Sequence, residues 1–298
     1  MKEKQAAVQT AEDIAKSIAE DIGTKAYYAL LEEVYTTPKP GLVDLYSCGA
    51  HTDMNVQTFE KSAEALRPWF IRMAAQGYLL TCTREDLFVE IRKTGILAEK
   101  AMFHATGNVN THKGMIFTLG IFCAAAGRCM KDYGEIKLKT LIRTEQDMVS
   151  RILKKELEEL QKTDEKTTNG VRNLRAYGIR GEALAGYPSV TEIALPVLAD
   201  GLYKEKEWNR IKLQILFALM SRVQDSNILA RKNPAVLYEV QVQSMKFLNE
   251  GGAYSEHALE KLYLMDAEYT SKNISAGGCA DLLAVSVFLA MICKKIPQ

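Results

Sequence analysis

The residues able to do chemistry in this 298-residue chain gather in five short polar stretches. The most concentrated is Gly107-Asn-Val-Asn-Thr-His-Lys-Gly114, which runs straight into the apolar segment Met115–Ala126. Asn110 or Thr111 can cap a helix starting there, so that its first N–H groups point outward beside His112 and Lys113. A helix N-terminus, a flexible ammonium and an imidazole in one place suit a phosphate chain. The stretch is not a Walker A loop, because Lys113 is followed by Gly114 instead of Ser or Thr and no strand precedes it.

The other four stretches add acids and cations. The first holds Lys39, Asp44, His51 and Asp53; the second holds Arg180 and Glu182; the third holds Asp225, Asn227 and Arg231; the last is Asn273-Ile-Ser-Ala-Gly277-Gly278-Cys-Ala-Asp281. Asp44, His51, Asp53, Glu182, Asp225, Asn227 and Asp281 are ligands of the type hard cations accept. Lys39, Lys113, Arg180 and Arg231 are natural phosphate partners. Together they read as Mg²⁺ plus polyphosphate. Magnesium takes only one or two protein carboxylates, so most of these acids must have other tasks, one of them that of a general base. Taken singly, Asp225 and Asp281 can cap helices, Arg180 can pair with Glu182, His51 can be a satisfied loop histidine, and Gly277 and Gly278 can serve a tight backbone. Recurrence over five stretches is what points to a site.

Helices must position these stretches. Apolar residues recur at helical spacing from Ile14 to Val34, from Phe59 to Met73 and from Leu87 to Met102, the last opened by a Thr83/Asp86 capping pair. Thr10 with Asp13 predicts the start of the first helix, over 10–35, and Thr36-Thr-Pro-Lys-Pro-Gly41 stops it. Further helices are predicted from Gly114 to about Gly127, Thr140 to Leu160, Ser189 to Leu198, Lys206 to Arg222, Pro234 to Asn249 and Glu256 to Lys272, with a C-terminal one after Asn273. Arg180–Pro188 and Gln224–Asn227 read as loops, and 161–170 as a candidate mobile loop. His104 and His257 read as ordinary helix residues. No alternating strand or internal repeat is evident, which predicts an all-α fold: a single compact domain of about ten helices over 1–298, its site built from inter-helix loops.

Composition narrows the class. A net charge of +1 gives no bulk field for nucleic acid, so anion recognition must be local. Met1–Gln5 is charged with no apolar segment behind it, and the apolar runs Met115–Ala126 and Leu282–Cys293 fall short of the ~20 residues a membrane span needs, so a cytoplasmic protein without membrane association is expected. The six cysteines include no Cys-x-x-Cys pair, which argues against zinc and disulfide frameworks; Cys48 alone sits in a polar loop.

Five blocks, Pro38-Lys-Pro-Gly-Leu-Val-Asp44, Gly49-Ala-His-Thr-Asp-Met54, Asn110-Thr-His-Lys-Gly114, Arg180-Gly-Glu-Ala-Leu-Ala-Gly-Tyr-Pro188 and Asn273–Asp281, closely resemble the triphosphoribosyl-dephospho-CoA synthase family in order and spacing. The resemblance runs from about Tyr28 to the C-terminus. It departs where Gln224-Asp-Ser-Asn227 and Arg231-Lys-Asn233 stand in place of the family's Gly-Asp-Thr-Asn and Arg-Gly-Gly.

What the resemblance implies is specific. ATP and 3'-dephospho-CoA would be the substrates, and the 2'-hydroxyl of the latter would displace adenine from C1' of the ATP ribose through an oxocarbenium-like state. The product would be the prosthetic-group precursor of the citrate lyase acyl carrier protein, or that of malonate decarboxylase, and would pass to an acyl-carrier-protein holo-transferase. Lys113, Arg180 and Mg²⁺ would hold the triphosphate, with Lys39, Asn110, Thr111, Asn227, Arg231, Gly277 and Gly278 completing the substrate contacts. Glu182 would be the base, with Asp225 and His112 beside it in the chemistry and Asp44, His51, Asp53 and Asp281 on the metal side, Asp225 also fitting there. Two other readings of the same residues stay open: a Mg²⁺-dependent ADP-ribosyl hydrolase-like enzyme, and a non-catalytic nucleotide-binding module.

Overall fold

The computed structural model describes residues 2–163 and 178–294, and among these there are twelve α-helices and no strand. In chain order they are α1 (Lys2–Val34), α2 (Val56–Leu79), α3 (Arg84–Thr106), α4 (Lys113–Tyr133), α5 (Leu138–Thr163), α6 (Gly178–Ala185), α7 (Leu195–Tyr203), α8 (Trp208–Met220), α9 (Ser226–Arg231), α10 (Pro234–Asn249), α11 (Ala258–Ser271) and α12 (Gly277–Ile292). A π-helical turn, Ser189–Ala194, leads into α7, and a short 3₁₀ turn, Gly252–Tyr254, precedes α11.

The all-α expectation holds, with differences in extent. Helix α1 begins at Lys2, so Thr10 lies inside it and does not open it. The Thr83 cap forms as its spacing predicts, the hydroxyl accepting the Asp86 N–H at 3.1 Å. Helix α4 does not stop at Gly127. It runs on to Tyr133 and ends at Gly134, in the left-handed conformation a C-terminal glycine permits. Gly127 is there for packing: a Cβ on it would come within 2.1 Å of the Ala74 carbonyl oxygen of α2. The longer α4 is long and apolar enough to cross a membrane on length and composition, but 78% of its apolar window is buried against the rest of the protein, as in a core helix. Of the stretch 161–170, the first three residues belong to α5 and the rest lies outside the described residues.

The segment Arg180–Ala185, expected as loop, is the body of α6. Gly181 and Gly186 disguise it, while Glu182-Ala-Leu-Ala185 between them are strong helix formers. Gly186, at φ +78°, then terminates the helix, and the Tyr187 N–H returns to the Glu182 carbonyl at 2.7 Å.

The chain divides into two compact units. One comprises 1–28, 62–165 and 291–298, and the other 29–61 and 166–290. The first is built on α3, α4 and α5 packed against one another, around Phe88, Phe122, Met102 and Leu119. In the second, α8 is the central helix, packing against α7 and α10 and burying Leu213, Phe217 and Leu219 fully.

Candidate active site

The second unit assembles its site on the C-terminal end of α1. The last carbonyls of a helix carry partial negative charge and lack intrahelical partners. Here two lysines take them. The Lys39 ammonium donates to the Glu33 carbonyl at 2.6 Å and forms a very close ion pair with the Glu33 carboxylate. Lys212 of α8 donates to the Glu32 carbonyl at 3.0 Å and to its carboxylate at 2.7 Å, which also accepts the Trp208 indole N–H at 2.7 Å. Lys39, Glu33 and Lys212 are all buried. Burial raises the proton affinity of Glu33 and, despite Glu32, lowers that of Lys212.

The loop after α1 is fixed by its own backbone. Asp44 is buried, and one carboxylate oxygen accepts the Lys39 N–H at 2.5 Å while the other accepts those of Tyr46 and Ser47 at 2.7 and 2.9 Å. Burial pushes its proton affinity up and these N–H groups pull it down. Asp266 of α11 ties the loop from the other side, accepting the Gly41 N–H at 2.9 Å and the Ser47 hydroxyl at 2.8 Å. Gly41 sits at φ +69°, and a Cβ there would lie 2.1 Å from the Ile274 carbonyl oxygen, so the position admits no side chain.

His51 bridges two later segments. Its Nδ1 lies 3.2 Å from the Arg231 guanidinium and its Nε2 lies 3.1 Å from the Ser275 hydroxyl. Arginine can only donate, so Nδ1 accepts and the proton sits on Nε2. Burial and the Arg231 charge hold His51 below its usual range, against the pull of Asp53, an exposed residue 4.0 Å away. Arg231 also donates to the Ala50 carbonyl and to Asn273 at 3.2 and 3.0 Å.

The acids of α6, α9 and α12 lie in the same unit. Asp225 caps α9 through the Asn227 and Ile228 N–H groups at 2.8 and 3.1 Å, and its other oxygen accepts the Cys279 N–H of α12 at 2.8 Å. This close approach accounts for two glycines, since a Cβ on Gly277 or Gly278 would meet Asn227 at 2.8 Å or Asp225 at 3.0 Å. Glu182, buried on α6, accepts the Ser189 hydroxyl at 2.6 Å and the Ser189 N–H at 3.2 Å. Arg180 is exposed on the same helix. Asp281 differs from all of these. Among the described residues its carboxyl makes no hydrogen bond or ion pair, and burial together with the charges of Glu33 and Asp225 raises its proton affinity well above the ordinary range.

The first unit carries the Asn110–Lys113 stretch. The residue preceding α4 is His112, not Asn110 or Thr111, and it makes no side-chain cap; Asn110 instead accepts the Lys113 N–H at 3.3 Å. Buried His112 meets the Ser62 hydroxyl through Nδ1 at 2.7 Å, and Thr111 donates to that same hydroxyl at 2.7 Å. Lys113 is exposed and paired with Glu99 at 2.7 Å.

Glu32, Glu33, Lys212, Ser189, Asp266 and Ser275 escaped the sequence reading. Two of them carried a signal. Glu33 interrupts the apolar stripe of α1 beside Val34, and Lys212 stands between Ile211 and Leu213, where a charge is expensive unless partnered. His257, read as a helix residue, is the position before α11 and lies 3.3 Å from Glu260.

For the expected magnesium, the four candidate ligands are not equivalent. Asp44 and His51 have their polar atoms engaged, Asp53 faces solvent, and Asp281 alone of the four presents a half-buried carboxyl without a partner among the described residues. No group of three or more His, Cys, Asp or Glu among the described residues is disposed to hold a metal. One carboxylate beside a polyphosphate is nevertheless an ordinary magnesium arrangement, and the neighbouring acids Glu33 and Asp225, which disfavour ionisation of Asp281 in the absence of a cation, fit it.

Phosphate-type cations and buried carboxylates drawn from distant segments of an all-helical chain are groups able to bind a phosphorylated substrate and move a proton on it. A model of the ATP:dephospho-CoA triphosphoribosyl transferase family matches residues 19–297. The chain is 37% identical over 276 residues to a protein of Escherichia fergusonii named 2-(5''-triphosphoribosyl)-3'-dephosphocoenzyme-A synthase, covering 91% of each chain. A Lactiplantibacillus plantarum protein named as a probable synthase of that kind is 38% identical over 272 residues, 89% of this chain and 95% of its own. One from Klebsiella pneumoniae is 36% identical over 278 residues, 91% of each. No solved structure matches. The chain belongs to the ATP:dephospho-CoA triphosphoribosyl transferase family.

Proposed function

We propose that the protein transfers the triphosphoribosyl group of ATP to the ribose 2'-hydroxyl of 3'-dephospho-CoA and releases adenine. The observation that carries this reading is the convergence, within one unit, of the segments that also carry the family resemblance. Loop 39–53, α9 and the start of α12 are joined by the Arg231–His51, His51–Ser275 and Asp225–Cys279 bonds.

In this reading Glu182, oriented by Ser189, takes the proton of the attacking hydroxyl. The new O–C1' bond forms as the C1'–N9 bond breaks, and its electron pair leaves with adenine, which takes up a proton. The triphosphate is not cleaved. Exposed Arg180 and Arg231 are the cations this unit offers to it, and their binding energy serves to hold C1' in position. Lys39 does not serve directly, because its ammonium is committed to the end of α1. Asp281 would hold Mg²⁺, which when bound neutralises phosphate charge. The product would pass to an acyl-carrier-protein holo-transferase as the prosthetic-group precursor of citrate lyase or malonate decarboxylase, in the cytoplasm where both substrates are found.

The test is to incubate the protein with ATP and Mg²⁺, with and without 3'-dephospho-CoA, and follow free adenine by chromatography. Adenine only with both substrates supports transfer. Release without the acceptor would point to a hydrolase, and no release from folded, ATP-binding protein would point to a binding module. Glu182→Gln should lower kcat on the order of a hundredfold.

A further inference from the structure

Loop 39–51 bears two exposed large apolar residues that its anchoring does not require. Leu45 and Tyr46 are 59% and 61% exposed, although the backbone N–H of Tyr46 is bound to buried Asp44. The Tyr46 ring packs edge-on against Tyr263 of α11, with centroids 4.5 Å apart and ring planes at 63°. Tyr263 and its neighbour Leu264 are 39% and 73% exposed. One helical turn beyond Tyr263, Asp266 accepts hydrogen bonds from Gly41 and Ser47 of the same loop. The two elements bearing the rings are therefore locked together below them, and the pair is held ready without being buried.

Here two aromatic rings in contact, each with a leucine next to it in the chain, leave apolar surface open beside a charged site. They offer an aromatic face for a purine and aliphatic surface for a hydrocarbon arm. ATP offers the first and otherwise carries charge; dephospho-CoA offers both, in its adenine and in the gem-dimethyl pantetheine arm. We infer that the Tyr46–Tyr263 pair, with Leu45 and Leu264, is the platform for the adenine and pantetheine arm of 3'-dephospho-CoA, an inference that rests on the transferase reading. Base-on-aromatic stacking is sequence-tolerant and strong enough to set acceptor affinity.

Steady-state kinetics with each substrate varied test this, using wild type, Tyr46→Ala, Tyr263→Ala and Tyr46→Phe. Acceptor-dependent adenine release by the wild type tests the transferase reading separately. With that in hand, both alanine variants should raise KM for dephospho-CoA by about ten- to a hundredfold. They should leave KM for ATP and kcat within about threefold, and Tyr46→Phe should behave as wild type. A rise in KM for ATP instead would assign the platform to the donor and overturn the inference, as would unchanged KM values. A change of oligomeric state in the alanine variants, read by light scattering, would show a surface for a second copy and overturn it too. Cys48, exposed on the same loop, gives a readout independent of turnover. Its alkylation by iodoacetamide in the wild type, located by mass spectrometry, should be slowed by dephospho-CoA and not by ATP; equal rates would contradict the platform.

Discussion

Lys39 shows how much a single residue's role depends on what surrounds it. By type it is a phosphate partner, yet its ammonium is enclosed with Glu33 at the end of α1. Removing one member of a buried pair leaves the other charge without compensation, which typically costs about 3–5 kcal/mol. Lys39→Met should therefore lower unfolding stability by that amount in urea titrations, and adding Glu33→Leu should recover part of the loss. A Lys39→Met protein of wild-type stability that fails only to bind ATP would return Lys39 to the phosphate. The acids Asp44, Glu182, Asp225 and Asp281 stand out in the sequence as candidates because each is expensive to bury and not needed for a turn. Their division of labour does not, since it depends on which N–H groups reach each carboxylate after folding. Asp225 illustrates this: three backbone N–H groups from two helices converge on it. Asp225→Asn keeps an acceptor for part of that set and should be destabilised less than Asp225→Ala in the same titration.

At the scale of elements, periodicity and capping located most helices, and the misses have local causes. Helix α4 was cut short because Gly127 reads as a terminator until the Ala74 backbone against it is seen. Helix α6 reads as loop in the sequence because its two glycines outweigh the formers between them. The Thr83 cap was visible from spacing alone, and Thr83→Ala should cost about 1 kcal/mol. Helix α5 carries a less visible feature. Glu145 is fully buried, its two carboxylate oxygens have no hydrogen-bond partner among the described residues, and burial raises its proton affinity well above the ordinary range. The native chain thus keeps a proton that the unfolded chain gives up near pH 4.3, so this residue's contribution to stability falls as pH rises from there toward its raised native value. Glu145→Gln removes that dependence. The variant should gain stability relative to wild type between pH 5 and pH 8, by urea unfolding, and a constant difference would contradict the burial of a protonated acid.

On the scale of the whole molecule, an all-helical chain of net charge +1 has no general attraction for polyanions, so its handling of ATP must come from local cations. Fold class was legible because every strong periodicity is helical. The division into two units was not, since it depends on long-range contacts that no local pattern records. In this transfer the bond broken is the one at C1' of the ATP ribose, with the triphosphate carried intact into product. Product stoichiometry tests this most directly: adenine, phosphate and pyrophosphate are measured together during turnover with ATP and 3'-dephospho-CoA, and the product mass is recorded. One adenine per adduct, with all three ATP phosphates in the adduct and no free phosphate or pyrophosphate, is the expected result. Release of ADP, AMP or pyrophosphate in step with product would show phosphoryl or nucleotidyl transfer and contradict the account.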